Sequence, residues 1–283
     1  MVSIRGNDLD RDVFPPGDFA RLQWTLSHAT CITAVTLDLA RKAQAISGRD
    51  DAVHLKNVVD TGRFRPAPEA GAAVRARLGI GADEAVLGFS GELREKKGLA
   101  HLLDALLAVR RVRAARLLVI GDVRPSEKPR LLQWMDPERL SERDILITGQ
   151  LPTPEAVNEH LQACDVYLQP SLWDGMPNAL LEAMAAGCGA IASDAGGIPE
   201  IITPGVDGII LPRWQLYRLW EAVLEWLKAD PAHRAQVRRA ARARMVTEFS
   251  LDGERQALQA LLARLIPSSS QTAASAAPDR SQV

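Results

Sequence analysis

The run Ser171-Leu172-Trp173-Asp174-Gly175-Met176-Pro177-Asn178-Ala179-Leu180-Leu181-Glu182-Ala183-Met184-Ala185-Ala186-Gly187 holds two carboxylates, one on each side of a proline that can open a helix. Asp174 falls in a loop and Glu182 in the second turn of the predicted helix. Pro177 fits the first helical position, where a missing N–H costs nothing. The free N–H groups of that first turn, at Asn178 and Ala179, would then point into the Gly175-Met176 loop, where an anion such as a diphosphate can sit. Carboxylates accept hydrogen bonds from sugar hydroxyls, so the pattern suits a phosphorylated ligand that also carries hydroxyls. A simpler reading makes Asp174 a turn residue and Glu182 an exposed glutamate favoured by the helix dipole. The helix argues against it. Ala179, Leu180, Leu181, Ala183, Met184, Ala185 and Ala186 are apolar almost all round, which predicts a buried helix. A carboxylate on such a helix needs a partner or a ligand.

The elements that must position this run alternate in type. Apolar runs predict strands at 85–90, 116–120, 144–148, 166–168, 189–193 and 206–211. Helical patterns at 99–112 and 154–163, and the helix bearing Glu182, lie between them. This alternation implies right-handed βαβ units and a parallel sheet covered on both faces. Gly91, Gly121, Gly149, Gly175 and Gly196-Gly197 fall at or just beyond carboxyl ends of strands, the edge where open α/β sheets bind ligands. The front of the chain is sparser, with strands at 2–4, 31–35 and 53–55 and helices at 19–28 and 37–45. Residues 66–70 read as a linker. Residues 267–283, rich in Ser, Ala, Gln and Pro, read as a disordered tail.

The 283 residues suffice for two domains. A net charge of −1 gives no basic signature for nucleic acid. No stretch reaches about 18 unbroken apolar residues, so no transmembrane helix is expected. The first twelve residues lack the apolar core of a secretory signal. Cys31, Cys164 and Cys188 form neither a disulfide framework nor a metal-ligand spacing, which suits a reducing cytoplasm. The histidines His28, His54, His101, His160 and His233 show no ligand spacing and read as structural. Arg234, Arg238, Arg239, Arg242 and Arg244 form a basic helical stretch. It is read first as a solvated face and second as a peripheral contact with anionic lipid on the inner membrane face. Trp214, Trp220 and Trp226, six apart, read as packing.

Three runs then carry a resemblance. They are Gly88-Phe89-Ser90-Gly91-Glu92-Leu93-Arg94-Glu95-Lys96-Lys97-Gly98, Asp174 to Gly187, and Asp194-Ala195-Gly196-Gly197-Ile198-Pro199-Glu200-Ile201-Ile202. In this order on a βα pattern, the chain resembles the retaining GT-B glycosyltransferases of family four (group 1), over roughly Met1 to Leu265. The resemblance implies an α/β, GT-B-like fold. Residues 67–266 would be a complete C-terminal Rossmann-like domain that binds a nucleotide sugar. Residues 1–66 would be a partial N-terminal Rossmann-like domain on the acceptor side.

It further implies that Asp174 contacts the transferred hexose, Glu182 holds the nucleotide ribose, and Lys97 acts on the diphosphate. Patterning alone also allows Lys97 to be a solvated lysine in a charged run. Asp174 stands where the family usually has glutamate, and Glu92 where it has a phosphate-binding arginine; Arg94 is the candidate substitute. Thr148 and Gly149 match the region that packs on the base, and Arg5 stands where many members place a histidine near the sugar. Asp8-Leu9-Asp10 is a D-x-D that binds metal in a different glycosyltransferase fold; here it reads as a surface turn, and no metal is expected.

The implied function is transfer of a hexose from a UDP- or GDP-sugar, with no cofactor, to a glycan or lipid acceptor, as in cell-envelope polysaccharide assembly. Members usually carry a longer N-terminal region, so a partner chain or a second copy is expected to complete that domain. The alternative is a non-catalytic or split nucleotide-sugar-binding module.

Overall fold

The computed structural model describes residues 1–6, 9, 10, 13–134 and 140–266. At the front are β1 (Val2–Ile4), α1 (Pro16–His28), β2 (Ile32–Ala34), α2 (Leu37–Ser47) and β3 (Val53–His54). The three strands pair in parallel in the order β1-β2-β3. Thr36 caps α2 by accepting from the Leu39 N–H, and Gly48 closes it at φ 71°.

After an extended segment come α3 (Pro68–Arg77), β4 (Ala85–Ser90), α4 (Leu99–Arg110), β5 (Ala115–Ile120), α5 (Lys128–Trp134), β6 (Ile145–Ile147), α6 (Pro154–Gln162) and β7 (Val166–Gln169). Then follow α7 (Asn178–Ala185), β8 (Ala190–Ser193), α8 (Ile198–Ile201), β9 (Ile209–Leu211), α9 (Leu219–Lys228), α10 (Pro231–Glu248) and α11 (Leu251–Leu265). The second sheet is parallel throughout, in the order β6-β5-β4-β7-β8-β9. β4 and β5 pair over their whole length, from Ala85↔Ala115 to Ser90↔Ile120. The chain winds one way from β4 through β6 and the other way from β7 through β9. The direction reverses between β4 and β7, so their carboxyl ends mark the topological switch point, where open α/β sheets bind ligands.

β4 and β7 are buried on both faces, which is why they read as unbroken apolar runs. Leu87, Phe89, Val166 and Leu168 pack into a core with α4 and α9. Val86, Tyr167, Leu118 and Ile120 face the other core, which contains α7 and runs on into Ile4, Leu26, Ile32 and Leu39 of the front segment. The same core takes Met245 and Phe249 from the end of α10. Among the described residues, no helix is long and apolar enough to cross a membrane.

Several local expectations change. The expected linker at 66–70 is half helix, because Pro68 opens α3 at a position that needs no N–H. β9 starts at Ile209 rather than at 206, since Asp207 accepts from the Thr203 N–H (2.7 Å) and closes a turn. The basic stretch is α10, and it is not simply a solvated face. Arg242 donates to the carbonyls of Thr61 (2.8 Å), Phe64 (2.6 Å) and Ala185 (2.9 Å). Arg238 reaches the Asp165 carbonyl (2.7 Å), and Arg244 the Glu200 carbonyl (3.2 Å). Of the three tryptophans, Trp226 is buried and donates to the Asp165 carbonyl, but Trp214 is 73% exposed and packs little. The expected tail, 267–283, lies outside the described residues.

Candidate functional site

The loops after β4 and β7 are locked together at the switch point. A short 3₁₀ turn, Glu95–Lys97, ends at Gly98, whose φ is +83°. A Cβ at Gly98 would lie 2.1 Å from the Pro170 carbonyl oxygen, so only glycine allows this approach. The Lys96 carbonyl accepts from the N–H groups of Leu172 (2.9 Å) and Trp173 (3.4 Å). This junction delivers Lys97 to Asp174. Their Nζ–Oδ2 distance is 2.6 Å, with the side chains only 19% and 11% exposed.

Asp174 is held on all sides. Its Oδ2 also accepts from Ser171 Oγ (3.0 Å), and its Oδ1 from the Gly175 N–H (3.1 Å). Behind it runs a buried polar chain. Tyr167 donates to Gln169 Oε1 (2.7 Å), and Gln169 Nε2 donates to Ser171 Oγ (2.8 Å). Burial pushes the Tyr167 phenol up, and the nearby Glu182 charge adds to that. Tyr167 therefore stays a neutral donor.

Glu182 lies on α7 as expected, in the second turn. Pro177 is the cap rather than the first helical residue, with extended backbone at φ −73°, ψ 115°. Helical backbone starts at Asn178. The N–H groups of Asn178 and Ala179 have no partner among the described residues. Met176 is buried, so it contributes main chain rather than a contacting side chain. Glu182 is half-buried, and among the described residues nothing donates to its carboxylate. Burial alone raises its carboxyl above the ordinary 4.5.

Further cations flank Lys97 in the same loop. Burial, then Arg94 and Lys97, hold the Lys96 ammonium below its ordinary value. Arg94 lies 3.5 Å from Glu92, and its buried Nε has no partner among the described residues. Glu92 is itself bridged by Arg124 at 2.7 Å, which holds its carboxyl down. The acid at position 92 is thus matched by two arginines. Thr148 accepts from the Gly121 N–H (3.0 Å) and donates to the Gly149 carbonyl (2.7 Å), fixing the loop beyond β6. Gly91, at φ +115°, lies so close to Gly121 that a Cβ there would meet the Gly91 carbonyl at 2.3 Å.

The front segment meets the Asp174 loop through residues that local sequence patterns miss. Asn57, buried, donates to the Met176 carbonyl (2.7 Å) and accepts from Arg5 (2.8 Å). Arg5 is exposed and tied to Asn57. Glu200 accepts from the Leu37 N–H (2.9 Å) at the start of α2. Gly197 donates to the Gly175 carbonyl at 2.6 Å. A polar residue at the end of an apolar strand was the available signal for Gln169, and Ser171 follows it just beyond Pro170. Nothing local marks Asn57. Asp8 lies outside the described residues. Leu9 is buried and Asp10 pairs with Lys42 at 2.8 Å, so that run is not a free surface turn. Among the described residues, no three His, Cys, Asp or Glu converge as a metal site.

Comparison with known proteins bears on the family and the fold. The family model for glycosyl transferases group 1 matches residues 84–229. A GDP-mannose-dependent monoacylated alpha-(1-6)-phosphatidylinositol monomannoside mannosyltransferase of Corynebacterium glutamicum is 31% identical, over 90% of this chain and 68% of its own length. An alpha-maltose-1-phosphate synthase of Mycolicibacterium smegmatis is 32% identical, over 71% of this chain and 54% of its own. The chain spans about half the length of several curated relatives it matches. Among solved structures, Anabaena Alr3699/HepE in complex with UDP and glucose superimposes with a TM-score of 0.81. It is 21% identical, and the match covers 93% of this chain and 71% of that one.

Proposed function

The chain belongs to the group 1 glycosyltransferases, and from that premise we propose that it moves a hexose from a nucleotide-diphosphate sugar to an acceptor hydroxyl with retention of configuration. The observation that carries this reading is the arrangement at the switch point. A clamped Lys97–Asp174 pair stands near the start of α7, where, among the described residues, neither the half-buried Glu182 carboxylate nor the Asn178 and Ala179 N–H groups have a partner. Glu182 grips the ribose and Asp174 orients the hexose. The departing diphosphate gathers charge as the glycosidic C–O bond breaks. Lys97, Arg94 and the start of α7 stabilise that charge without reorganising, the electrostatic role that often dominates catalysis. The acceptor oxygen attacks from the same face, and its proton leaves with the diphosphate.

The donor is a UDP- or GDP-sugar. A relative named for GDP-mannose and a structural neighbour holding UDP support that range.

Calorimetry with UDP, GDP and the corresponding nucleosides tests the site. Lys97→Ala is expected to weaken the diphosphates far more than the nucleosides. Glu182→Ala is expected to weaken both, by roughly 1.5–3 kcal/mol, the scale of a hydrogen bond to a charged group. Equal losses on Lys97→Ala, or unchanged affinity in a folded Glu182→Ala, would refute these assignments. The anomeric configuration of the product, read by NMR, tests retention.

A further inference from the structure

The two oxygens of Asp174 carry unequal loads. Oδ2 accepts from Lys97 Nζ (2.6 Å) and Ser171 Oγ (3.0 Å), and Gln169 Nε2 stands 3.4 Å away. Among the described residues, Oδ1 accepts only from the Gly175 N–H (3.1 Å). Each oxygen of a carboxylate offers about two acceptor positions. Oδ2 is therefore saturated, and Oδ1 keeps one position open. The Ser171 carbonyl accepts from Ser193 Oγ (2.6 Å), so the loop that carries this arrangement is also fixed from β8.

The carboxylate sets the direction of every hydrogen bond behind it. A carboxylate only accepts, so the Gln169 amide must turn its NH2 end toward it. Gln169 Oε1 then faces Tyr167, and the phenol has to donate (2.7 Å). Ser171 Oγ accepts from Gln169 Nε2 (2.8 Å) and gives its own hydrogen to Asp174. The hydrogens thus point one way, from Tyr167 to Asp174. Tyr167 lies near enough to Glu182 to feel its charge, yet its single hydrogen is committed to Gln169. Tyr167, Gln169 and Ser171 are all buried. Phenylalanine and leucine would fill the first two places with no polar group to satisfy. Replacing both partners of a buried hydrogen bond by apolar groups of the same shape is close to neutral or stabilising. Packing therefore does not require this chain, and its purpose lies at its Asp174 end.

We propose that Tyr167 and Gln169 are positioning residues that act through Ser171, holding the Asp174 carboxylate with Oδ2 spent and Oδ1 turned to accept a hydroxyl of the donor's hexose. This assignment rests on the reading of Asp174 as the hexose contact. It makes Tyr167 and Gln169 determinants of affinity for the sugar and not for the nucleotide.

The test is calorimetry on the full chain with UDP, UDP-glucose, GDP and GDP-mannose. For each base it gives the ratio of nucleotide-sugar affinity to nucleotide affinity. Tyr167→Phe combined with Gln169→Leu keeps the shape of the chain and removes its hydrogen bonds. In this variant the ratio for the preferred base is expected to fall about tenfold, the scale of a hydrogen bond to a charged group. UDP and GDP affinities are expected to stay within about twofold, and the denaturant midpoint to hold or rise. Tyr167→Phe alone removes one oxygen atom and serves if the pair misfolds; its ratio is expected to fall about threefold. A merely structural chain gives the opposite pattern, a lower midpoint with an unchanged ratio, and that result overturns the proposal. Equal losses for nucleotide and nucleotide sugar overturn it as well. Asp174→Asn separates the two levels of the argument. If it lowers the ratio and the chain variants do not, the positioning role falls and the hexose contact stands. If Asp174→Asn leaves the ratio unchanged, or the parent binds no nucleotide, the reading of Asp174 falls and takes the positioning role with it.

Discussion

The six-stranded region and the three-stranded region reach the same loop by different means. The larger sheet holds its site by packing. β4 and β7 are sealed between two apolar cores, and the loops that leave them mesh at Gly98 and Pro170. The smaller sheet has strands of only two or three residues. The front segment shares an apolar core with the larger region and adds polar contacts, with Asn57 on the Met176 carbonyl and the Leu37 N–H donating to Glu200 of α8. Packing over a large area tolerates small errors at any one contact, whereas a few hydrogen bonds to carbonyls do not. The Lys97–Asp174 junction is therefore set by steric meshing, and hydrogen bonds to main chain fix a front segment that is already packed on the shared core.

The strongest blow to this contrast is Gly196→Ala. Gly196 has φ +53°, and a Cβ there would lie 1.8 Å from the Asp174 carbonyl oxygen. Strain and overlap together should cost about 3 kcal/mol in denaturant unfolding. Gly205 supplies the control. It has φ +79° with nothing within 4 Å of a built Cβ, so Gly205→Ala should cost only about 1 kcal/mol. Equal costs for the two would mean that the loops around Asp174 are not tightly meshed.

Next in size is Asn57→Ala. It leaves the buried Met176 carbonyl without its donor, at a cost of about 2 kcal/mol. If hydrogen bonding places the front segment, hydrogen exchange should speed up in β1–β3 while β4 and β7 keep their protection. Uniform loss of protection would make the two regions one cooperative unit and end the distinction.

The same contrast decides what the sequence reveals. Buried parallel strands show as short apolar runs closed by glycine, so β4 through β8 are legible to within a residue or two. α3 was hidden because Pro66 and Pro68 resemble a break, although a proline in the first turn starts a helix as readily as it ends one. The arginines of α10 look like a solvated face because nothing local announces that their guanidinium groups will reach carbonyls at Thr61, Phe64 and Ala185. Within the site, Asp174, Glu182 and Lys97 stand out through spacing and resemblance. The 2.6 Å contact between Lys97 and Asp174 does not. It depends on Gly98 pressing against Pro170, and the chain separates those residues by three helices and three strands. Asn57 escaped for the same reason, since its partner at Met176 lies in the other region.

The smallest expected effect is Glu182→Gln, and its sign is opposite to the others. Burial raises the Glu182 carboxyl above its ordinary 4.5 in the folded chain. The folded state therefore holds this proton more tightly than the unfolded state does. At neutral pH both states are ionised, and the folded state bears the whole cost of a half-buried charge with no described partner. As pH falls through the folded value and on to 4.5, the carboxyl protonates and that cost disappears. Glu182→Gln removes the charge and keeps the shape. The variant should be more stable than the parent at pH 7, by about 1 kcal/mol, the scale on which relieving a functional site stabilises a protein. The gain should shrink as pH falls, and the two unfolding curves should meet near pH 4.5. If Glu182 grips the ribose as proposed, nucleotide affinity should drop in the same variant, because the ribose hydroxyls would supply hydrogen bonds that no described residue gives the carboxylate. A stability difference that does not change with pH would mean that Glu182 is already solvated or paired. The donor side would then hold no charge waiting for a ligand.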